Sequence, residues 1–166
     1  MSSADHAYIP PDTTNTATLP SPVKNYLDGA DLLNKNQALR ISTVAADGWP
    51  HAALFSAGDM LAMPSGKIRF AVFAQSTTAA NLTRDGRVTI TLSVDGSMCE
   101  LRMKCRRLTR SSLDVALAVF EAELIEARLH NAPYATVSGG VTFTLHEPQS
   151  VQQRWQKQIS AIRDAS

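Results

Sequence analysis

Three consecutive hydroxyl residues, Ser76, Thr77 and Thr78, stand where a β-like run ends and a short helical pattern begins. A hydroxyl at this position can cap the helix, because its oxygen accepts hydrogen bonds from the first backbone N–H groups. The same N–H groups, together with further hydroxyls, can also bind a phosphate. Residue type and spacing favour the cap, but a cap needs one hydroxyl and the sequence offers three. Residue types alone therefore leave both interpretations open.

A bound phosphate also needs positive charge, and the strand-like run CELRMKCRRL is one source of it. Arg102, Lys104 and Arg106 alternate with apolar residues and therefore share one face of a strand. We expect this face to be the solvated exterior of the sheet. The alternative hypothesis is that Arg102, or Arg40 or Arg69 on other strands, contacts the phosphate. A nucleic-acid site is not expected, because the net charge is +1 and no aromatic platform accompanies the basic residues.

The remaining reactive residue types form no pattern typical of a metal site or of a catalytic constellation, so the catalytic residues stay unknown. No His pair stands at helical spacing, and Cys99 and Cys105 do not form a CxxC motif. If these cysteines share one strand, they lie about 20 Å apart and cannot bond to each other. A reduced, cytoplasmic protein is expected. Neither a signal peptide nor a membrane span of roughly 20 apolar residues is predicted.

The predicted strands and turns indicate a small antiparallel barrel. Asp47-Gly48 and Asp95-Gly96 each separate two β-like runs and predict tight hairpins. Strands joined by hairpins pair antiparallel, so we predict an α+β domain built on a six-stranded β-barrel with flanking helices. The six strands are expected at about residues 38–45, 50–57, 67–75, 87–94, 97–109 and 134–147.

Helices are expected at about residues 21–36, 111–130 and 148–163. The second of these is predicted because Leu113, Leu117, Phe120 and Leu124 recur at helical spacing. Residues 1–20, rich in Thr, Ser and Pro and without an apolar period, are expected to form a flexible N-terminal arm. The 166 residues, of which 44% are hydrophobic, suffice for one core, so residues 21–166 are expected to form a single domain.

The order of these elements resembles that of the FMN-binding split-barrel family, the pyridoxamine 5′-phosphate oxidase-like proteins. The resemblance covers about residues 22–110 and depends on two signatures. One is the hairpin T-V-x-x-D-G-W-P-H. The other is the Ser-containing turn followed by Asn81-Leu82 and Arg87-Val88.

The resemblance implies a homodimer with FMN at the interface, each flavin touching both chains, and a flavin-dependent oxidoreductase acting on a small molecule. It also implies a split barrel and a cofactor site on the turn and on the second strand. The residues that it assigns to the phosphate, the ribityl chain and the ring are Leu54, Phe55, Ser56, Gln75, Ser76, Thr77, Thr78 and Asn81, with Arg102 as a candidate cation.

Several positions depart from the family pattern. Thr78 stands where a cation is usual, while Ala53 and Gly58 stand where the vitamin B6 oxidases carry Arg and Lys. True pyridoxamine 5′-phosphate oxidase activity is therefore not expected. The alternative function is a non-catalytic flavin- or haem-binding split-barrel protein, in which His51 or His146 would be the axial ligand of haem. The deazaflavin F420 in place of FMN is a third possibility.

Overall fold

The computed structural model describes residues 8, 10, 12–14, 18–114 and 116–166. Most of the predicted N-terminal arm lies outside these described residues. Within the arm, Asp12–Thr14 form a short strand, β1, which the composition did not indicate. This strand pairs antiparallel with a late segment of the chain, with Thr13 opposite Arg128.

The described residues form one curled antiparallel sheet with three α-helices. The sheet order is β3-β2-β6-β7-β8-β5-β4, and β1 extends it along β8. This confirms the predicted α+β class and antiparallel sheet, with eight strands in the described residues rather than six. After β1, the elements are α1 (Ser21–Tyr26), β2 (Leu39–Val44), β3 (Pro50–Phe55), β4 (Met60–Ala62), β5 (Ile68–Phe73), α2 (Thr77–Arg84), β6 (Arg87–Val94), β7 (Ser97–Arg107), β8 (Leu117–His130) and α3 (Pro148–Asp164).

Both predicted hairpins are present. Gly48, with φ of +86°, turns the chain between β2 and β3. Asp95 and Gly96, with φ of 47° and 76°, join β6 to β7. In the second hairpin, positive φ at both central residues matches the twist of the flanking strands. In the first hairpin the connection spans residues 45–49, and only the glycine of the Asp-Gly pair has a positive φ.

The predicted helix at 111–130 is wrong, because this segment contains the 14-residue strand β8. One edge of β8 pairs with β7, and the other pairs with β5 and then β1. Ala118–Ala122 are buried without alternation, so the period-2 signal of a half-exposed strand is missing. Ala, Leu and Glu also favour helices. Pairing on both edges overrides that weak preference.

The predicted strand at 134–147 is also wrong. In the described structure this segment makes an isolated bridge between Thr142 and Gln37, and Phe143 N donates to the carbonyl of Asn36. Its side chains are mostly exposed. Gly139 and Gly140 interrupt the β-like pattern, so the segment lies beside β2 without joining the sheet as a strand.

The two terminal helices differ in how well their limits were predicted. The first ends at Tyr26 instead of near residue 36, because Gly29 and Asp31 adopt positive φ. A short 3₁₀ turn, Leu32–Asn34, follows. The last helix, α3, confirms the prediction for 148–163. Among the described residues, no helix is both long and apolar enough to cross a membrane.

The core has two main parts. The barrel interior is filled by apolar side chains of the sheet, with the rings of Phe70 and Phe120 stacked at 6.0 Å between centroids. A smaller cluster lies outside the barrel, where Trp155, Ile159 and Ile162 of α3 pack on Leu61 and its neighbours. This second cluster holds α3 beside the end of β3.

Candidate functional site

The hydroxyl turn begins α2 as a helix cap. Ser76 has extended backbone angles, and its Oγ accepts a hydrogen bond from the backbone N–H of Ala79 at 3.1 Å. Thr77 and Thr78 are therefore the first two helical residues, whose N–H groups have no acceptor within the helix. Thr77 is exposed and Thr78 is buried. The capping interpretation is confirmed, and the first turn still has free donors.

A cavity of about 540 Å³, here called the ligand cavity, lies between β3, β5, the start of α2 and α3. Ligand sites in proteins have volumes of this order and combine apolar walls with a few polar groups. Its apolar wall includes Leu54, Phe55 and Phe73. Its polar lining includes Ser76 and Thr78. The structure thus brings four predicted site residues together: Leu54, Phe55, Ser76 and Thr78.

Helix α3 closes one side of the ligand cavity with Arg154 and Gln158. Trp155 follows Arg154 in this helix, and its indole packs directly on Gly58. A Cβ atom added at Gly58 would lie 2.1 Å from Cγ of Trp155. The position where the family resemblance expects a lysine is therefore closed to any side chain in this fold.

Ser56 lies next to the cavity but is not among the residues that line it. It is buried, and both its backbone N–H and its hydroxyl donate to Oδ2 of Asp59 at 2.7 Å. Oδ1 of Asp59 accepts from Nε2 of Gln158 at 2.8 Å, and the same amide donates to the carbonyl of Gly58. Ser56 thus fixes the loop on which α3 docks.

A second cavity of about 450 Å³ lies on the other side of the α2 N-terminus and shares Ser76 with the ligand cavity. It is here called the loop cavity. Gln75, Thr77, Asn81 and Arg84 line it, together with the turn that follows β2. The remaining predicted residues of the turn therefore border this second space, adjacent to the first.

Asn81 is buried and joins α2 to β2. Its Nδ2 donates to Oγ1 of Thr43 at 3.0 Å, and its Oδ1 accepts from Arg84 at 3.3 Å. The guanidinium of Arg84 also donates to the carbonyl of Val44. Asn81 consequently holds α2 on β2 through its Nδ2, and its Oδ1 positions Arg84 of the same helix, which makes the second contact to β2.

The cations proposed from sequence are not brought to the turn within this chain. Arg102 lies on the outer face, pairs with Glu100 at 2.9 Å, and lines a separate cavity of about 380 Å³. Arg69 is bound by Glu121 at 2.9 Å and by carbonyls near the C-terminus, including that of Ala165. Arg40 is exposed on β2 and lines neither the ligand cavity nor the loop cavity.

Sequence reasoning missed the cations that line the two cavities beside the turn, Arg154 in the ligand cavity and Arg84 in the loop cavity. Arg84 could have been found from the sequence, because it lies seven residues, about two helical turns, after Thr77 and therefore on the same face of α2. Arg154 had no such signal, because its place in the same cavity as Ser76 depends on how a helix more than seventy residues away packs against the sheet.

The other buried ionisable groups serve the fold. Desolvation by burial alone would raise the pKa of Glu121, but hydrogen bonds from Arg69 and Lys67 outweigh it and hold the pKa below its usual range. Burial raises the pKa of Cys99 and Cys105 to about 11, so neither thiol is a nucleophile at neutral pH. Across the described residues, no group of three or more His, Cys, Asp or Glu side chains could hold a metal ion.

Comparison with known proteins bears on family and fold. No family model matches the chain. The Bacillus subtilis (strain 168) protein YclD, whose function is uncharacterized, is 32% identical over 139 residues, covering 82% of this chain and 90% of the relative.

Solved structures resemble the fold at low sequence identity. A candidate pyridoxamine 5′-phosphate oxidase from Lactobacillus delbrueckii has a TM-score of 0.54 at 16% identity, covering 69% of this chain and 97% of that one. A haem-binding protein from Mycobacterium smegmatis has a TM-score of 0.50 at 12% identity, covering 70% and 56%. The chain therefore belongs to the family of YclD, and its fold is the split barrel of the pyridoxamine 5′-phosphate oxidase-like proteins.

Proposed function

We propose that the chain binds FMN in the ligand cavity and acts as a flavin-dependent oxidoreductase on a small molecule. The observation that supports this proposal is that one cavity joins an apolar wall to the N-terminus of α2. An apolar wall suits a flat aromatic ring, and free N–H groups with hydroxyls suit a phosphate. FMN, when bound, supplies hydride and electron transfer, so the protein has to bind and orient it.

The phosphate end of the proposed site is the first turn of α2. The N–H groups of Thr77 and Thr78 have no acceptor within the helix, and the positive end of the helix dipole points the same way. Thr78 lines the ligand cavity, where its hydroxyl would add a donor. Gln75, which the resemblance assigns to the ribityl chain, lines the adjoining loop cavity and not the ligand cavity.

The ring end of the proposed site is the apolar wall. Leu54 and Phe73 are 59% and 70% exposed, although both are large apolar side chains. A bound ring and a second copy of the chain would cover them, which is the basis for proposing a homodimer with the cofactor at its interface. Ile125, 66% exposed on β8, would add to such an interface. The buried free thiols are consistent with a cytoplasmic location.

Titration of the purified protein with FMN, followed by quenching of flavin fluorescence, tests this proposal. Thr78→Val keeps the shape of the side chain and removes its hydroxyl. We expect FMN affinity to fall roughly tenfold, the usual value of one hydrogen bond to a charged group. The matched control is Thr91→Val on β6, which lies outside the ligand cavity and should leave the affinity unchanged.

Three further outcomes separate the alternatives. A wild-type protein that neither carries nor takes up FMN would contradict the proposal. A Soret band in the absorption spectrum would instead support haem binding, with His51 as the first ligand to test, since its buried Nδ1 has no partner among the described residues. If FMN binds, its reduction by NADH or NADPH would distinguish an enzyme from a carrier.

A further inference from the structure

The first turn of α2 supplies only neutral donors to the ligand cavity. The Ser76 hydroxyl oxygen is engaged by the cap, and Thr77 and Thr78 carry no charge. A charge-assisted hydrogen bond is roughly twice as strong as a neutral one. A doubly charged phosphate held at this turn is therefore incompletely balanced by α2 itself, and a cation from another element would complete the site.

The two arginines nearest to the hydroxyl turn in the sequence, Arg69 and Arg84, already have hydrogen-bond partners in the fold. Arg84 donates to Asn81 and to the carbonyl of Val44, which ties it to the β2 end of the turn. Arg69 is held by Glu121 and by the carbonyls of the C-terminal residues. Moving either arginine to a ligand would break contacts that hold the fold.

Arg154 differs from both. It lines the ligand cavity together with Ser76 and Thr78, it is exposed, and within the described part of the chain it has no hydrogen-bond or ion-pair partner. Its helix is nevertheless firmly placed. Trp155 packs on Gly58, and Gln158, one turn further on, donates to the Gly58 carbonyl. A free guanidinium thus projects from an anchored backbone into the cavity.

We propose that Arg154 supplies the positive charge of the anion site. It would take the place of the cation that the family usually carries at the position of Thr78. The inference depends on the proposed function, since the anion is the phosphate of the FMN bound in the ligand cavity. Arg154 lines the same cavity as Ser76 and Thr78 at the start of α2. It would contact the phosphate, and not the ring, because the phosphate carries the negative charge of FMN and the oxidised ring is neutral. The C-terminal helix then has a direct part in ligand binding.

Comparing FMN with riboflavin tests the proposal, because riboflavin carries the same ring and ribityl chain without the phosphate. We expect Arg154→Ala to weaken FMN binding by about 10- to 100-fold and to leave riboflavin affinity within twofold. Arg154→Lys keeps the charge and should recover part of the loss. The matched control is Lys157→Ala, an exposed cation of the same helix that does not line the cavity.

The outcomes distinguish this inference from the proposed function. If the wild-type protein does not bind FMN, the proposed function fails and the role of Arg154 fails with it. If the wild type binds FMN and Arg154→Ala binds it equally well, only the role of Arg154 is overturned. Equal weakening of FMN and riboflavin binding would also overturn it, since Arg154 would then act on the ring or on the fold. Circular dichroism of Arg154→Ala and Arg154→Lys checks that both are folded.

Discussion

Gly58 is the position at which one added methyl group should have the largest effect on this protein. A Cβ atom there would lie 2.1 Å from Cγ of Trp155 and 2.3 Å from its Cδ1 and Cδ2. The indole cannot swing aside easily, because it is buried and its ring contacts that of Phe143 at 6.2 Å between centroids. Gly58→Ala therefore forces α3 as a whole to shift.

The expected cost follows from overpacking. Extra methylene groups in a packed core typically cost about 1–3 kcal/mol, and a clash of the new Cβ with three atoms of a buried ring belongs at the upper end, about 3 kcal/mol. For a chain of this length that corresponds to a fall in Tm of roughly 6–12 °C. The shift of α3 should also lengthen the hydrogen bond from Gln158 to the Gly58 carbonyl, now 2.9 Å.

Thermal and urea denaturation measure the stability change, and tryptophan fluorescence locates it. The chain has two tryptophans, of which Trp49 is 74% exposed and Trp155 is buried. In a Trp49→Phe background, Gly58→Ala should shift the emission of Trp155 to longer wavelength. Gly139→Ala is the matched control, because a Cβ there meets nothing within 4 Å. If Gly58→Ala matched this control in stability and emission, the docking of α3 on Gly58 would be refuted.

Two further predictions concern buried ionisable groups. Glu121→Gln should cost about 2 kcal/mol, because Glu121 is buried and accepts from three basic side chains, two of them partly exposed. Its pKa is lowered in the folded state, so this stabilisation is complete above the ordinary value of 4.5 and is lost as the pH falls through the folded pKa. Cys99 and Cys105 should resist alkylation of the native protein at about pH 8, because burial raises their pKa to about 11.

Each of these two predictions has its own contradicting result. In urea denaturation at about pH 7 and about pH 3, the stability difference between wild type and Glu121→Gln should shrink at the lower pH, and a constant difference would contradict the titration argument. Exposed Glu123 provides the control substitution, Glu123→Gln. For the thiols, mass spectrometry should find no label before denaturation and two labels after it. Rapid labelling of the native protein would contradict their burial.

The sequence predicted well wherever the signal is local. Asp-Gly at positions 47–48 and 95–96 correctly predicted both hairpins, since a glycine with positive φ is a local requirement of each turn. The face of α3 that carries Trp155 and Ile159 was predictable from helical spacing. Ser76 as an N-cap likewise depends only on its own hydroxyl and the following N–H groups.

Strand β8 shows where local reasoning fails. Its leucines and alanines repeat at helical spacing, and its composition favours a helix. Whether that segment becomes a strand depends on pairing with β7, β5 and β1. Two of these strands, β1 and β5, are far from β8 in the sequence. Both faces of the segment are buried around Phe120, so the sequence there lacks the alternation of apolar and polar residues that would indicate a strand.

The candidate site divides in the same way. The sequence by itself determined the hydroxyl turn at Ser76, Thr77 and Thr78, because a cap and its free N–H groups are made by neighbouring residues. Tertiary structure decided that Leu54, Phe73 and Arg154 line one cavity together with that turn. The physical reason is that a packing contact such as Trp155 on Gly58 depends on the shapes of two surfaces that are far apart in the sequence. The spacing of neighbouring residues does not predict those shapes.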